Sequence, residues 1–148
     1  MSTADTISLL NRLIVVERNG QFALRAAADE AYHAEVRGSL MQYSDFLGHA
    51  ADELQHAVRE LGGRATGVGT FGSVVHRTWM HLKASALGRD ERVILDEVEQ
   101  EEAEAETLLA DAVTWDTPPP VHTLLQRQYE GAKRHHHVIR GLRDRLAA

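Results

Sequence analysis

The sequence predicts an all-α fold, a four-helix bundle, and three observations carry that prediction. The prolines are confined to Pro118, Pro119 and Pro120, so the rest of the chain contains no residue that forbids a helix interior. Val and Ile are scattered among Ala, Leu, Glu and Arg, which favour helices. Apolar residues recur at helical spacing through four long stretches, and no alternating strand pattern or Asn-Gly or Asp-Gly hairpin signal competes with them.

Taken in order, a first helix is expected from about Ala4 to about Ala31, opened by Ser2 or Thr3 as N-cap. A tight break near Tyr32 to Ala34 leads to a second helix ending at Leu61, with Gly62 and Gly63 as its C-terminal stop. Leu40, Leu47, Leu54 and Leu61 stand at heptad spacing on it, with Val36, Tyr43, Ala50 and Ala57 beside them. A Gly-rich connection from Gly62 to Gly72 precedes a short helix from Ser73 to Leu87, which carries Val75, Trp79, Leu82 and Ala86. Asp90 caps a third long helix reaching about Trp115. Thr117 and the three prolines start the fourth, since proline is tolerated in a first helical turn. Helices of about 25 residues span roughly 38 Å. Each pair is joined by a short turn and forms an antiparallel hairpin, while the chain from Leu61 to Asp90 is long enough to travel the height of the bundle. Two antiparallel helical hairpins joined by a long crossover containing a short helix is ferritin-like connectivity.

Length and composition set outer bounds. The 148 residues suit a single domain, 1–148, with a core of its own. Hydrophobic residues at 43% and charged residues at 26% match a folded soluble chain rather than a disordered one. A net charge of −6 argues against nucleic acid as a partner. The absence of cysteine excludes disulfides, thiolate metal sites and Cys nucleophiles. Ile7 to Val16 is interrupted by Asn11 and Arg12, so neither a signal peptide nor a membrane span is expected, and a cytoplasmic location follows.

Polar residues inside the apolar stripes are the one hint of chemistry. Glu17 sits among Leu10, Leu13, Ile14, Leu24 and Ala28. Glu101 interrupts Ile94, Val98, Ala105, Leu108 and Ala112. Gln128 and His135 lie among Val121, Leu125, Ala132, Ile139, Leu142 and Leu146. A carboxylate buried alone costs several kcal/mol, so such residues need one another, a metal or water. Glu17, Glu101 and His135 are therefore expected at one height as an internal cluster, either hydrogen-bonded without metal or acting as three ligands to iron or zinc.

Other motifs have plainer readings. A di-iron bundle needs a Glu-x-x-His from each of two helices. Glu53 to His56 has that pattern but lies off the leucine stripe. Glu30 to His33 falls at the helix break, and the fourth helix has no such motif. His135, His136 and His137 point about 100° apart and cannot share one ion. The glycines of Gly67 to Gly72 resemble a dinucleotide loop, yet no strand feeds them. Nine acids between Asp90 and Glu106 face a basic stretch from Arg127 to Arg145, as expected of complementary neighbouring helices.

The chain resembles an uncharacterised family of ferritin-like bundles, domain of unknown function 2383. The resemblance rests on Leu9-Leu10-Asn11-Arg12-Leu13-Ile14, on Arg59-Glu60-Leu61-Gly62-Gly63 and on His76-Arg77-Thr78-Trp79-Met80-His81-Leu82-Lys83. It continues through Glu97, Glu99 and Glu101 to Ile139-Arg140-Gly141-Leu142-Arg143-Asp144. The resemblance implies a fold and no established activity. The expected protein is a structural or interaction module, stress-related oligomers included, that forms a homo-oligomer and is not an enzyme. A metal-binding protein with possible oxidative activity, built on Glu17, Glu101 and His135, is the alternative.

Overall fold

The structure is a computed structural model and describes residues 1–67 and 91–147. Among these residues there are four helices and no strand: α1 Thr3–Glu30, α2 Ala34–Glu60, α3 Glu91–Ala112 and α4 Pro119–Ala147. The expected short helix from Ser73 to Leu87, with Trp79 and Met80, lies outside the described residues. So do the glycine run beyond Gly67 and the cap at Asp90.

Local chemistry sets the helix ends. Ser2 accepts from the Asp5 N–H while the Asp5 carboxylate accepts from the Ser2 N–H, a reciprocal capping box. The break after α1 is held by Arg37, whose guanidinium donates to the Ala31 carbonyl at 2.6 Å. At the end of α2, Gly62 takes φ +82°, a left-handed conformation that costs glycine nothing. The Gly62 and Gly63 N–H groups then return to the Arg59 and Val58 carbonyls at 2.9 Å each, which closes a Schellman stop. α3 ends at Ala112, three residues before the expected Trp115, where Thr114 and Trp115 form a turn over Asp111 and Ala112.

Each helix packs against two others: α1 on α2 and α3, and α4 on α2 and α3. Directions follow from the contacts. Leu9 to Ile14 of α1 share a core cluster with Leu109 and Ala112 of α3, and Leu24 to Ala28 share another with Ile94 to Val98. α1 and α3 are therefore antiparallel. Arg127 pairs with Glu53 and Arg145 with Glu35, so α2 and α4 are antiparallel too. Since α1 and α2 form a hairpin, α2 and α3 run parallel. The chain between Gly67 and Glu91 thus joins opposite ends of the bundle. Glu91 marks the far end, accepting from the Tyr32 and His33 N–H groups at 2.7 and 2.9 Å. No described helix is long and apolar enough to cross a membrane.

Among the described residues the core forms two apolar clusters, one toward each end. The first gathers Leu24, Val36, Leu40, Leu95, Val98 and Ile139. The second gathers Leu9, Leu13, Leu54, Leu109, Val121 and Leu125. Between them lies a belt with polar side chains and glycine.

Candidate functional site

The belt draws one or more polar groups from every helix. Glu17 on α1 is completely buried, and Glu102 on α3 and Gln128 on α4 are each 1% exposed. Both Glu17 oxygens and the Gln128 Oε1 lack hydrogen-bond partners. The Glu102 carboxyl and the Tyr43 hydroxyl on α2 make no bond of ordinary length but stand close enough for the hydroxyl to act on the carboxyl. Such orphaned buried atoms are rare in folded proteins, because each forfeits its hydration without replacement.

Glycines make the room for this belt. Gly20 faces Glu102, and a Cβ there would stand 3.5 Å from Glu102 Oε1 and 2.7 Å from Leu47 Cδ1. A Cβ on Gly131 would approach the Phe46 ring to 2.4 Å. The belt is tied across by polar bonds at its edges. Gln128 Nε2 donates to the Ala50 carbonyl at 3.1 Å, and Ser44 Oγ donates to the Gln21 carbonyl at 2.8 Å. Arg18, mostly buried, donates to the Gly48 carbonyl and to Asp52 and Gln55.

Burial governs the protonation of the two acids. It pushes Glu17 well above the usual carboxylate range, the charge of Glu53 adds to this, and Arg18 opposes it. Burial likewise drives Glu102 up to about 8, with Glu101 and Glu106 contributing, while the Tyr43 hydroxyl pulls it back. Tyr43 itself is raised by burial and then by Glu102. Burial therefore favours the neutral carboxyl form of both acids, and at about 8 Glu102 holds its proton at neutral pH. A neutral carboxyl can donate a proton as well as accept a hydrogen bond, and one that titrates near pH 8 exchanges protons close to physiological pH.

The structure redistributes the residues expected here. Glu17 lies where the sequence places it. Of the two adjacent acids in mid-α3, Glu102 is the buried one, while Glu101 is half-buried and raised by burial and by Glu97 and Glu104. Two stripes fit this helix equally well: Ile94, Val98, Glu101, Ala105, Leu108, Ala112 and Leu95, Val98, Glu102, Ala105, Leu109, Ala112. They share three residues, so a rotation of about 50° exchanges them. Packing selects the second, with Leu95 and Leu109 fully buried.

On α4, His135 is half-buried and stacks on Tyr43 with ring centres 5.0 Å apart and an interplanar angle of 16°. Burial lowers its proton affinity, and Arg134 adds to that. The histidine that meets acids is its neighbour. His136 is 7% exposed, contacts Glu106 through Nδ1 and lies 3.5 Å from Glu99 through Nε2. Arg140 and Arg143 also reach Glu99, so the acidic and basic stretches do meet as neighbouring helices.

Ligands for a di-iron centre can be tested against these positions. Glu17 and Glu102 fit the two single-Glu roles, but the two Glu-x-x-His motifs have no counterpart facing inward. Glu53 and His56 are 42% and 74% exposed and pair with Arg127 and Glu60. The inward pair on α4 is Gln128 and Gly131. Among the described residues, no three His, Asp or Glu are grouped to hold an ion. The described side chains do not make up the ligand set of a di-iron centre.

The spacing brings Tyr43 inward at the level of the belt, as the structure has it. Sequence reasoning missed its hydroxyl's place beside Glu102, and it missed Gly20 and Gly131, which carry no periodic signal. A search of curated proteins finds no match. The family described as Domain of unknown function (DUF2383) matches residues 5–114. That span is most of the chain, and the protein belongs to this family.

Proposed function

We propose that this protein is a structural or interaction module of ferritin-like topology, a single domain over residues 1–148 that assembles with copies of itself and catalyses no reaction. The observation that carries the proposal is the chemistry of the belt. Its two buried acids are raised by burial, and among the described residues no three His, Asp or Glu side chains are grouped to hold an ion. Neutral carboxyls interrupting an apolar core penalise helix registers that would bury them elsewhere, a specificity role known for core polar residues in other bundles. The parallel α2 and α3, joined by a connection between opposite ends, support the ferritin-like assignment. A cytoplasmic setting suits a chain without cysteine.

The competing reading is an iron or zinc protein using Glu17, Glu101 and His135, and the unpaired Glu17 oxygens favour it. Elemental analysis separates the two. Untagged protein exposed to iron(II) or zinc and then gel-filtered should carry substoichiometric metal and show an unchanged melting temperature. One metal per chain, lost on replacing Glu17 with Gln, would overturn the structural reading.

A further inference from the structure

The α2/α4 face combines two unlike ends. At the end formed by the close of α2 and the start of α4, a groove of about 700 Å³ is floored by Ala57, Leu61, Val121 and Leu124. Its rim carries Asp52, Glu53 and Glu60. The chain leaving α2 turns away from this groove and over α1. Gly63 lies against Ile7, Asn11 donates to the Arg64 carbonyl at 3.1 Å, and the Thr66 N–H donates to Asn11 at 2.9 Å.

Toward the other end of the same face, Val138 is 49% exposed, a large apolar side chain in the open. It belongs to the α4 stripe Arg127, Arg134, Val138, Gly141, Arg145, which borders α2, because Arg127 and Arg145 pair with Glu53 and Glu35. Arg134 is exposed and has no acidic partner among the described residues. One end of the face is thus an apolar groove with an acidic rim, and the other is an apolar knob flanked by cations.

We propose that a second copy of this chain docks antiparallel on the α2/α4 face, with Val138 of each copy seated in the groove of the other. The registers agree. Val138 stands 14 to 17 residues along α4 from Leu124 and Val121, roughly 23 Å. A two-fold axis near Tyr129 brings Val138 opposite Val121 in both directions. The same operation sets Arg134 at the height of Glu53, since Gln128 reaches Ala50 and Arg127 reaches Glu53 within one chain. A two-fold contact of this kind is closed and satisfies both grooves. Two helices about 40 Å long and 10 Å wide offer roughly 800 Å² per copy, which is what a stable dimer buries.

This proposal rests on the self-assembling module reading and names its surface. The test is sedimentation velocity on the untagged full chain over a range of concentrations, with helicity by circular dichroism as the check on folding. The wild type should sediment at twice the 16.4 kDa chain mass. Val138→Asp should be monomeric at concentrations where the wild type is dimeric, and Val138 is exposed enough that helicity should be unchanged. Arg134→Glu and Glu53→Lys should each weaken the dimer by tenfold or more, as loss of a close charge pair does. The double reversal should restore most of the affinity. A dimer indifferent to all four variants overturns this face and leaves self-assembly standing. A monomer at every concentration overturns both.

Discussion

Glu102→Gln should flatten the pH dependence of stability, and the size of the effect follows from the burial of this one carboxyl. In the folded protein Glu102 is raised from its ordinary 4.5 to about 8 and is 1% exposed. Between these values the folded state holds a proton that the unfolded chain releases, so stability falls as pH rises through that window. The contribution is complete below the unfolded value and lost above the folded one. From pH 5 to pH 8.5 the linkage amounts to roughly 4 kcal/mol against the wild type. A glutamine of equal shape cannot ionise. The assay is urea denaturation followed by helicity at several pH values and fixed protein concentration, for wild type and variant together. Taking the difference removes histidines and other acids that both share. Stability of the variant relative to the wild type should grow by roughly 4 kcal/mol across the range. Parallel curves would refute the reasoning, because they would mean that Glu102 titrates alike in the folded and unfolded chain.

Further outcomes follow from the same geometry. Tyr43→Phe removes the hydroxyl that pulls Glu102 down, so the midpoint of that pH dependence should move upward, and a downward move would contradict that influence. Gly131→Ala drives a Cβ to 2.4 Å from the Phe46 ring and should cost ~1–3 kcal/mol by thermal melting. Gly141→Ala meets nothing within 4 Å and should instead gain ~0.5–1 kcal/mol. Glu91 would be raised by burial alone, but the His33 and Tyr32 N–H groups and the His33 ring bring it below its ordinary value. Its contribution is therefore present above the ordinary carboxylate value and lost as pH falls through the folded one. Glu91→Gln should lose ~1–2 kcal/mol at pH 7 in urea denaturation, with the difference from wild type vanishing in acid.

How far the sequence could be read depends on how much each signal constrains. Helix ends were legible wherever a single residue carries the geometry, as Gly62 does with its left-handed backbone. The sequence left the first cap between Ser2 and Thr3, and the bond to Asp5 decides for Ser2. On α1 the core face was legible because Leu10, Leu13, Ile14 and Leu24 leave one direction for burial, and Glu17 came with it. On α3, adjacent acids at Glu101 and Glu102 and adjacent leucines at Leu108 and Leu109 make two stripes equally apolar. Only contact with the other helices chooses between them. The same ambiguity among His135, His136 and His137 moved the acid-paired histidine by one position. The belt glycines act through a neighbour's shape, and a periodic pattern does not encode that.

Glu17 and Glu102, both raised by burial, are expected to stand as neutral carboxyls inside a metal-free belt. Carboxyl carbon chemical shifts in glutamate-labelled protein, followed through a pH titration with and without added zinc, test this most directly. Both acids should be protonated at neutral pH, Glu102 should titrate near 8, and zinc should move neither resonance. Ionised resonances for both at neutral pH, or a zinc-dependent shift of either, would contradict this.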